Sequence, residues 1–429
     1  MFIKPPRKMK TKLLIPALLL LTLGAAAQTT KSELLKDIYR TGGSYYAYPG
    51  PGQKALTPAP AGYEPFYISH YARHGSRYMI DNICYVKAIE KLETASQMGI
   101  LSRKGADVLE TLKAGYADAE KRDGDLTALG GRQHREIAHR MYDRFPELLS
   151  QPLKVDARSS VVGRCMISMF NFCQELQGLN PSLDIRMDAS RGDMRFVVED
   201  DHIKPEETPQ TRVFRERVEG LWGKAAKPER LMKLLFTNVT KAESFVDGVE
   251  LMACLYHVAE DLQNVPELGL SLIDIFTKDE LFNFWNHENS HWMLISGIVP
   301  GSTPMYGRKL EVRDTLVSMA DRVIRSNQPT VSLRFSHDSS VLPLIYLLGL
   351  KEGMGASTNI ENLYKTISID KLIPMAANIQ MVFYRKEGSD DILVKFLLNE
   401  NETSIPALYT DVAPYYHWAD VKSYWENRL

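Results

Sequence analysis

Two segments of this chain share one layout, in which a strand pattern runs directly into polar residues that can carry chemistry. Residues 64–71 are rich in aromatic and β-branched side chains and lead into residues 73–77, Arg-His-Gly-Ser-Arg. Apolar residues alternate over 331–335 and lead into His337 and Asp338. In open α/β sheets, ligands bind at the edge formed by the carboxyl ends of the strands. The layout therefore predicts an α/β fold with both polar groups at one edge of a sheet.

The first polar group places His74 between two arginines, Arg73 and Arg77. A guanidinium presents a planar fork of donors that matches phosphate oxygens two at a time. A histidine held among such forks has a phosphorus atom within reach as an electrophile, as nucleophilic phosphoryl transfer requires. The alternative is a basic surface turn, because a run of this length also occurs by chance.

The second polar group offers an acid and a further donor. The Asp338 carboxyl could protonate a leaving oxygen, and the His337 imidazole could donate to a phosphate oxygen. Ser339 or Ser340 is predicted to cap a helix that begins at Val341. The alternative role of Asp338 is a plain helix cap.

A third arginine, Arg164, stands near the predicted start of a helix, where the helix dipole favours anions. The alternative is an ordinary surface arginine. The helix is predicted from apolar residues at helical spacing, which we expect to face the core: Cys165, Met166, Met169, Phe170, Cys173 and Leu176.

Taken together, these residues resemble the histidine acid phosphatases, the second branch of the histidine phosphatase superfamily, which includes the phytases. The resemblance rests on residues 73–77, on Arg164 and on the His337-Asp338 pair. Residues 126–133 are similar to the family's Leu-Thr-x-x-Gly-x-x-Gln stretch. The resemblance implies an α/β fold similar to that of the phosphoglycerate mutases. Such a fold has a mixed, mostly parallel sheet flanked by helices, with a mostly helical cap domain.

The resemblance also assigns roles to the residues. It implies that His74 attacks phosphorus to form a phosphohistidine and that Asp338 protonates the departing alkoxide. Phosphate binding is assigned to four side chains: Arg73, Arg77, Arg164 and His337. No cofactor or metal is implied, because the arginines take the place that cations occupy in kinases. The expected partner is a small-molecule phosphate ester.

Within the family, the C-terminal half is most similar to the multiple inositol polyphosphate phosphatases, over residues 333–337, 342–344 and 374–384. The expected substrates are therefore inositol polyphosphates such as phytate. In one departure, this chain has His-Asp-Ser at 337–339 where that subfamily often carries His-Ala-Glu. A broad-specificity acid phosphatase is accordingly the alternative function, and a phosphate-binding protein without turnover is a further one.

The motifs and the helical stretches between them predict two structural units. A catalytic α/β domain is expected from residues 28–80, 125–190 and 326–429, and a mostly helical cap from residues 81–124 and 191–325.

Residues 1–27 are expected to be a signal peptide. A basic stretch precedes a short apolar run, Leu13–Leu23, and small residues follow it. The run is too short to span a bilayer comfortably, which favours cleavage over anchoring. The mature protein is therefore expected in the periplasm or outside the cell, without a membrane anchor.

Charge argues against a nucleic-acid-binding protein, and cysteine spacing argues against a zinc site made of cysteines. With 52 basic and 53 acidic residues the net charge is −1, which does not indicate a nucleic-acid partner. The cysteines lack the paired spacing of a zinc site, and we expect all of them to be buried apolar residues: Cys84, Cys165, Cys173 and Cys254. A disulfide between Cys84 and Cys254 is an alternative, because an exported protein can form one. The sequence does not indicate an oligomeric state.

A rival function comes from residues 287–291, His-Glu-Asn-Ser-His, which satisfy the His-Glu-x-x-His pattern of zinc metallopeptidases. On a helix, His287 and His291 would share one face and could bind zinc, with Glu288 as the base. Asn289 and Ser290 are weak helix formers where the ligand helix should be firm. Zinc metallopeptidase is therefore a minor alternative.

Overall fold

The computed structural model describes residues 29–197, 208–299, 309–355 and 359–427. The predicted signal peptide, residues 1–27, lies outside these ranges. None of the helices within them combines the length and the hydrophobicity needed to cross a bilayer.

The described strands form one mixed sheet. Their bounds are β1 Tyr63–Arg73, β2 Lys154–Ser159, β3 Asp184–Asp188, β4 Thr330–Ser336, β5 Asn378–Lys386, β6 Ile392–Leu398, β7 Asn401–Thr403 and β8 Tyr415–His417. The order across the sheet is β3-β2-β4-β1-β5-β6-β7, and β8 pairs with β6. Strands β3, β2, β4 and β1 run parallel, whereas β5 to β8 are joined by antiparallel pairs. The predicted mixed α/β sheet with a mostly parallel core is confirmed.

The register of the parallel strands brings both polar groups to one edge. β1 pairs with β4 from Tyr67 opposite Thr330 to Arg73 opposite Ser336, so the two strands end together. β2 ends beside them, with Ser159 opposite Phe335 of β4. The residues that follow the three strands therefore share the carboxyl edge of the sheet, as the sequence layout predicts.

Helices cover both faces of the sheet and extend beside it. The α-helices of the described residues are α1 Lys31–Leu34, α2 Ile83–Gln97, α3 Arg103–Ala119, α4 Ala128–Arg144, α5 Pro146–Leu149, α6 Gly163–Leu179, α7 Pro209–Ala225, α8 Glu229–Leu235, α9 Val239–Ala242, α10 Gly248–Asp261, α11 Lys278–Ile295, α12 Lys309–Ser326, α13 Asp338–Leu348, α14 Ile369–Leu372 and α15 Trp418–Glu426.

The sheet has a core on each face, because alternate residues of β1 point to opposite sides. Tyr67 and Tyr71 join the core formed with α12, α13 and α15. Ile68 and Ala72 join the core formed with α4 and α6. Cover on both faces explains why β1 is buried almost continuously, as central parallel strands are.

A third core lies mainly among the helices α2, α3, α8 and α10. Its fully buried members include Leu92, Leu112, Leu235 and Leu255. By contrast, α12, which the predicted division places in the cap, packs on α13 and β1. The division into two domains stays a prediction.

The predicted apolar face of α6 is only partly correct. Met166 and Phe170 are 36% and 52% exposed. The other four residues of that face are buried: Cys165, Met169, Cys173 and Leu176. A helix turns about 100° per residue, so Met166 and Phe170 lie one step around from the buried row and face outward.

The predicted cap of α13 is wrong, because the helix begins at Asp338 rather than Val341. The His337 carbonyl accepts from the N–H groups of Ser340 at 3.1 Å and Val341 at 3.0 Å, which starts the helix as soon as β4 ends. Neither serine is the cap residue.

All four cysteines lie in the described residues and are free. Cys165, Cys173 and Cys254 are buried as predicted, whereas Cys84 is only half-buried. The thiols of Cys84 and Cys254 are neighbours between α2 and α10 and share a hydrogen bond.

Candidate active site

Backbone hydrogen bonds fix the end of β1 between its two neighbours. The Arg73 N–H donates to the Ala377 carbonyl at 2.8 Å, and the His74 N–H donates to the Ser336 carbonyl at 3.0 Å. The His74 carbonyl accepts from the Ala376 N–H at 2.9 Å. His74 is therefore held from both sides at the point where the strand becomes a turn.

Helix α4 holds the turn that follows His74. Thr127 caps the helix by accepting from the Gly130 N–H at 3.2 Å. The Thr127 N–H donates to the Ser76 carbonyl at 2.9 Å, and the Gln133 side-chain oxygen accepts from the Ser76 N–H at 2.8 Å. A Cβ at Gly130 would lie 2.2 Å from the Ser76 carbonyl oxygen, so only glycine allows this approach. The Leu-Thr-x-x-Gly-x-x-Gln stretch thus positions the turn.

Replacing Gly130 with alanine is expected to displace the turn and to lower kcat/KM about a hundredfold, because a shift of about 1 Å near the reacting groups costs that much. The added methyl group would meet the carbonyl oxygen and the nitrogen of Ser76 at 2.2 and 2.8 Å, and backbone cannot swing aside as a side-chain tip can. Steady-state phosphate release checks this expectation.

The matched control is Gly178→Ala, because Gly178 lies on the exposed side of α6 with no atom within 4 Å of an added Cβ. The control should keep full activity and gain roughly 0.5–1 kcal/mol of stability from the higher helix propensity of alanine. Wild-type kinetics in Gly130→Ala would show that this contact does not set the turn.

His74 is 1% exposed, and one of its ring nitrogens is committed. Its Nδ1 lies 2.9 Å from the Gly75 carbonyl. Because a carbonyl oxygen can only accept, Nδ1 carries the proton and Nε2 keeps its lone pair. Burial and the nearby charge of Arg73 hold the pKa of His74 well below its usual value. The ring is therefore neutral, with its lone pair on Nε2.

Three guanidinium groups lie close to this ring and have N–H groups without a partner. Arg73 and Arg77 are buried and Arg164 is half-buried. Their Nε atoms are buried and have no hydrogen-bond partner among the described residues. A buried donor left unpaired costs about 1–3 kcal/mol. The site is therefore suited to an anion with several acceptor oxygens.

Arg73 is held by three contacts. Its Nη1 donates to the Ser44 carbonyl at 2.5 Å and to the Ile373 carbonyl at 2.7 Å, and its Nη2 lies 2.6 Å from Oδ2 of Asp338. Burial alone would raise the pKa of the Asp338 carboxyl, but Arg73 and Arg77 more than offset that effect and leave the pKa lowered. The carboxyl of the free enzyme is therefore ionised.

His337 faces His74 with the ring centroids 5.5 Å apart, edge to face. Its Nδ1 lies 3.4 Å from Nη2 of Arg164, and its Nε2 lies 3.3 Å from the Ser160 hydroxyl. Because a guanidinium can only donate, Nδ1 accepts and Nε2 carries the proton. Burial and the charge of Arg164 lower the pKa of His337 to about 4. His337 is thus a neutral donor at neutral pH.

Comparison with known proteins identifies the family of this chain. The family model described as histidine phosphatase superfamily (branch 2) matches residues 71–399, a range that contains the turn after β1, Arg164 and the His337-Asp338 pair. The chain belongs to branch 2 of the histidine phosphatase superfamily. The predicted family and the predicted enzyme class, a phosphoric monoester hydrolase, are confirmed.

Two relatives of this histidine phosphatase are named multiple inositol polyphosphate phosphatase 1. The Gallus gallus protein is 23% identical over 398 residues, which cover 87% of this chain and 84% of the relative. The Homo sapiens protein is 25% identical over 415 residues, which cover 85% of this chain and 80% of the relative.

Solved structures share the fold of this histidine phosphatase. The multiple inositol polyphosphate phosphatase of Bifidobacterium longum, in complex with inositol hexasulfate, has a TM-score of 0.71 at 18% identity, over 91% of this chain and 98% of that one. The phytase from D. castellii has a TM-score of 0.66 at 15% identity, over 91% of this chain and 85% of that one.

The structure of this histidine phosphatase brings every predicted site residue to the sheet edge, although their roles stay predictions: Arg73, His74, Arg77, Arg164, His337 and Asp338. The sequence analysis missed the residues that support them. The Ser168 hydroxyl accepts from the Gly75 N–H at 3.1 Å, and the Tyr45 hydroxyl accepts from Arg77 at 3.1 Å. Ser168 lies one helical turn after Arg164, which is a usable signal. Tyr45 lies in an irregular stretch without any spacing pattern.

The structure of this histidine phosphatase does not support the zinc metallopeptidase alternative based on the His-Glu-x-x-His pattern. Residues 287–291 do lie on a helix, α11, and the rings of His287 and His291 stack at 5.8 Å. Asn289, a weak helix former, is held there by a 3.0 Å bond from its side-chain amide to the Ile367 carbonyl. Among the described residues, no three His, Cys, Asp or Glu side chains converge in a way that could hold a metal ion.

Proposed function

We propose that this enzyme dephosphorylates inositol polyphosphates such as phytate through a phosphohistidine formed on His74. The observation that most supports this proposal is the state of the His74 ring, which is buried and neutral with a free Nε2. The unpaired Nε groups of three arginines lie near it, as the oxygens of a phosphoryl group require. A nucleophile among phosphate-binding donors suits phosphoryl transfer.

In the first half-reaction, the Nε2 lone pair of His74 forms a bond to phosphorus. The bond from phosphorus to the ester oxygen breaks, and its electron pair leaves with the oxygen. The ring becomes positively charged, and its Nδ1–H bond to the Gly75 carbonyl stabilises that charge. The donors for the phosphoryl oxygens are Arg73, Arg77, Arg164 and His337, whose Nε2–H exchanges the Ser160 hydroxyl for a phosphoryl oxygen.

The departing alkoxide takes its proton from Asp338. In the free enzyme, Arg73 and Arg77 keep this carboxyl ionised. A bound phosphate ester brings negative charge to the same arginines, which offsets their effect and raises the pKa of Asp338. Asp338 therefore takes up a proton from solution when the substrate binds, and acidic pH favours turnover.

In the second half-reaction, water attacks the phosphohistidine. Asp338, which has given up its proton, accepts one from the attacking water. The bond between Nε2 and phosphorus breaks and returns its electron pair to His74. Orthophosphate leaves, and both side chains are restored.

Support for inositol polyphosphates comes from the relatives, two of which carry multiple inositol polyphosphate phosphatase as their name. The alternative is a broad-specificity acid phosphatase, which is favoured by the His-Asp-Ser sequence at 337–339. Ser339 is exposed, and its N–H donates to Oδ1 of Asp338 at 2.8 Å. Position 339, where the resemblance to the multiple inositol polyphosphate phosphatases implies glutamate, therefore supplies a backbone donor to the acid.

Phosphate release should be measured with phytate, a sugar phosphate and p-nitrophenyl phosphate. We expect kcat/KM for phytate to exceed that for the sugar phosphate at least about tenfold, as differential binding of the further phosphates would give. EDTA should leave the rate unchanged, because arginines supply the positive charge, and vanadate should inhibit as a mimic of five-coordinate phosphorus. Failure to release phosphate from phytate would favour the acid phosphatase alternative.

We also propose that the enzyme acts after export, because residues 1–27 match the pattern of a signal peptide. N-terminal sequencing of the mature protein should begin near Gln28. Recovery of the intact basic leader on a cytoplasmic protein would contradict this proposal.

A further inference from the structure

Tyr45 reaches the phosphate site from the short 3₁₀ segment Ile38–Tyr45, which precedes β1. Arg77 donates from Nη1 to the Tyr45 hydroxyl at 3.1 Å, and its Cζ lies 4.6 Å from the centre of the Tyr45 ring. The same Nη1 donates to the Tyr78 carbonyl at 2.8 Å. These contacts occupy one end of the guanidinium and leave its buried Nε without a partner in the described part of the chain.

The backbone of Tyr45 is itself fixed. The Tyr45 carbonyl accepts from the Asn264 side chain at 3.1 Å. Gly43 has a φ of +56°, and a Cβ there would lie 2.9 Å from the Ile369 side chain. Glycine therefore allows the sharp turn that brings the tyrosine to the site. The carbonyl of Ser44, the residue before Tyr45, accepts a hydrogen bond from Arg73. One short segment thus supports two arginines of the site.

Charge explains why a phenol suits this position. Burial raises the pKa of Tyr45 to about 12 even though Arg77 acts to lower it, so the hydroxyl accepts a hydrogen bond without adding charge. The negative charge near Arg77 comes instead from Asp338 and, after it, from Asp261, the last residue of α10, whose own pKa burial raises to about 7. The neutral Tyr45 ring holds the guanidinium without competing for it as a direct ion pair would.

We propose that Tyr45 is a positioning residue, which fixes the direction of the Arg77 guanidinium so that its unpaired Nε is available to the phosphoryl oxygens. This inference rests on the proposed function, in which Arg77 binds the phosphoryl group. An arginine that is already ordered loses little rotamer freedom when the anion binds. Donors aimed before the reaction begins also stabilise the transition state without reorganisation.

Two substitutions separate the contacts of Tyr45. Tyr45→Phe keeps the ring and removes the hydroxyl, and we expect kcat/KM for p-nitrophenyl phosphate to fall about three- to tenfold. Tyr45→Leu also removes the aromatic face and should cost about a further tenfold. The inhibition constant of orthophosphate should rise in parallel, because the lost order affects anion binding directly. If Tyr45→Leu does not fold, Tyr45→Phe still tests the proposal.

The deciding measurement repeats Tyr45→Phe in an Arg77→Ala background. A residue that acts through Arg77 should cause little further loss of kcat/KM or of orthophosphate affinity once Arg77 is gone. Equal losses in both backgrounds would overturn the proposal, as would unchanged kinetics in Tyr45→Phe. The matched control is Tyr46→Phe, because the neighbouring Tyr46 hydroxyl donates to Asp37 at 2.6 Å, and its kinetics should match wild type.

The same variants distinguish this inference from the proposed function. Wild-type kinetics in Arg77→Ala would overturn both. If Arg77→Ala is impaired and wild type forms a phosphohistidine, but the Tyr45 effect is additive, the proposed function stands and the positioning role fails.

Discussion

Alanine in place of His74 is expected to abolish phosphate release and to lower kcat at least about 10⁴-fold, because loss of a covalent nucleophile costs that much or more. His337 cannot take over, since its Nδ1 and Nε2 are directed to Arg164 and Ser160. Rapid mixing followed by an acid-free quench should trap phosphate on histidine in wild type and none in the variant.

The fold should survive this substitution, because the hydrogen bond of the His74 ring is to the carbonyl of the adjacent Gly75 and joins no distant segments. Equal melting temperatures in the variant and in wild type check this point. The matched control is His139→Ala, because His139 lies at the surface of α4 and contacts Glu175 at 2.9 Å, away from the sheet edge. Near-normal turnover in His74→Ala would refute the mechanism.

Asp338→Asn is expected to lower kcat/KM for phytate about 10²- to 10⁴-fold and to lower kcat/KM for p-nitrophenyl phosphate far less. An inositol alkoxide is a poor leaving group that needs a proton, whereas an activated phenolate leaves without help. Each tenfold loss corresponds to about 1.4 kcal/mol of transition-state stabilisation. The ratio of kcat/KM values for the two esters is the quantity to measure.

Loss of the Arg73 ion pair also changes the pocket in this variant, so a control for buried ion pairs is needed. Asp370→Asn provides it, because Asp370 is 1% exposed and pairs with Arg40 at 2.7 Å. This control should lower stability by about 1–3 kcal/mol without changing the ratio for the two esters. Equal losses on both esters in Asp338→Asn would mean that Asp338 shapes the pocket and does not donate the proton.

The parts of the fold that could be predicted are those set by local pattern. The alternation over 331–335 and the aromatic run over 64–71 locate β4 and β1, and polar residues at their ends locate the edge. The order of strands could not be predicted, because β1 pairs with β4 and β5, both more than 250 residues away. No local signal specifies which distant strands pair.

The candidate active site divides in the same way, into residues marked by a local pattern and residues that matter only through long-range contacts. Residues that carry charge next to a strand end, such as His74 and Asp338, are visible in a single sequence. Tyr45 is not, because its importance arises from a contact with Arg77 that is made only in the folded chain. Met166 shows the converse error, since helical spacing gives a face but not the width of the buried row.

The three-point hold on Arg73 makes the site depend on segments that are far apart in the chain. Its Nη1 partners are the carbonyls of Ser44 and Ile373, and the second lies 300 residues further along the chain. A ribosome-bound chain that ends before Ile373 lacks that carbonyl, and it also lacks Ala377, the strand partner of Arg73. Contacts so distant in sequence close only after the intervening segments have formed. We therefore expect a chain truncated before Ile373 to be inactive, because the hold on Arg73 is incomplete in it.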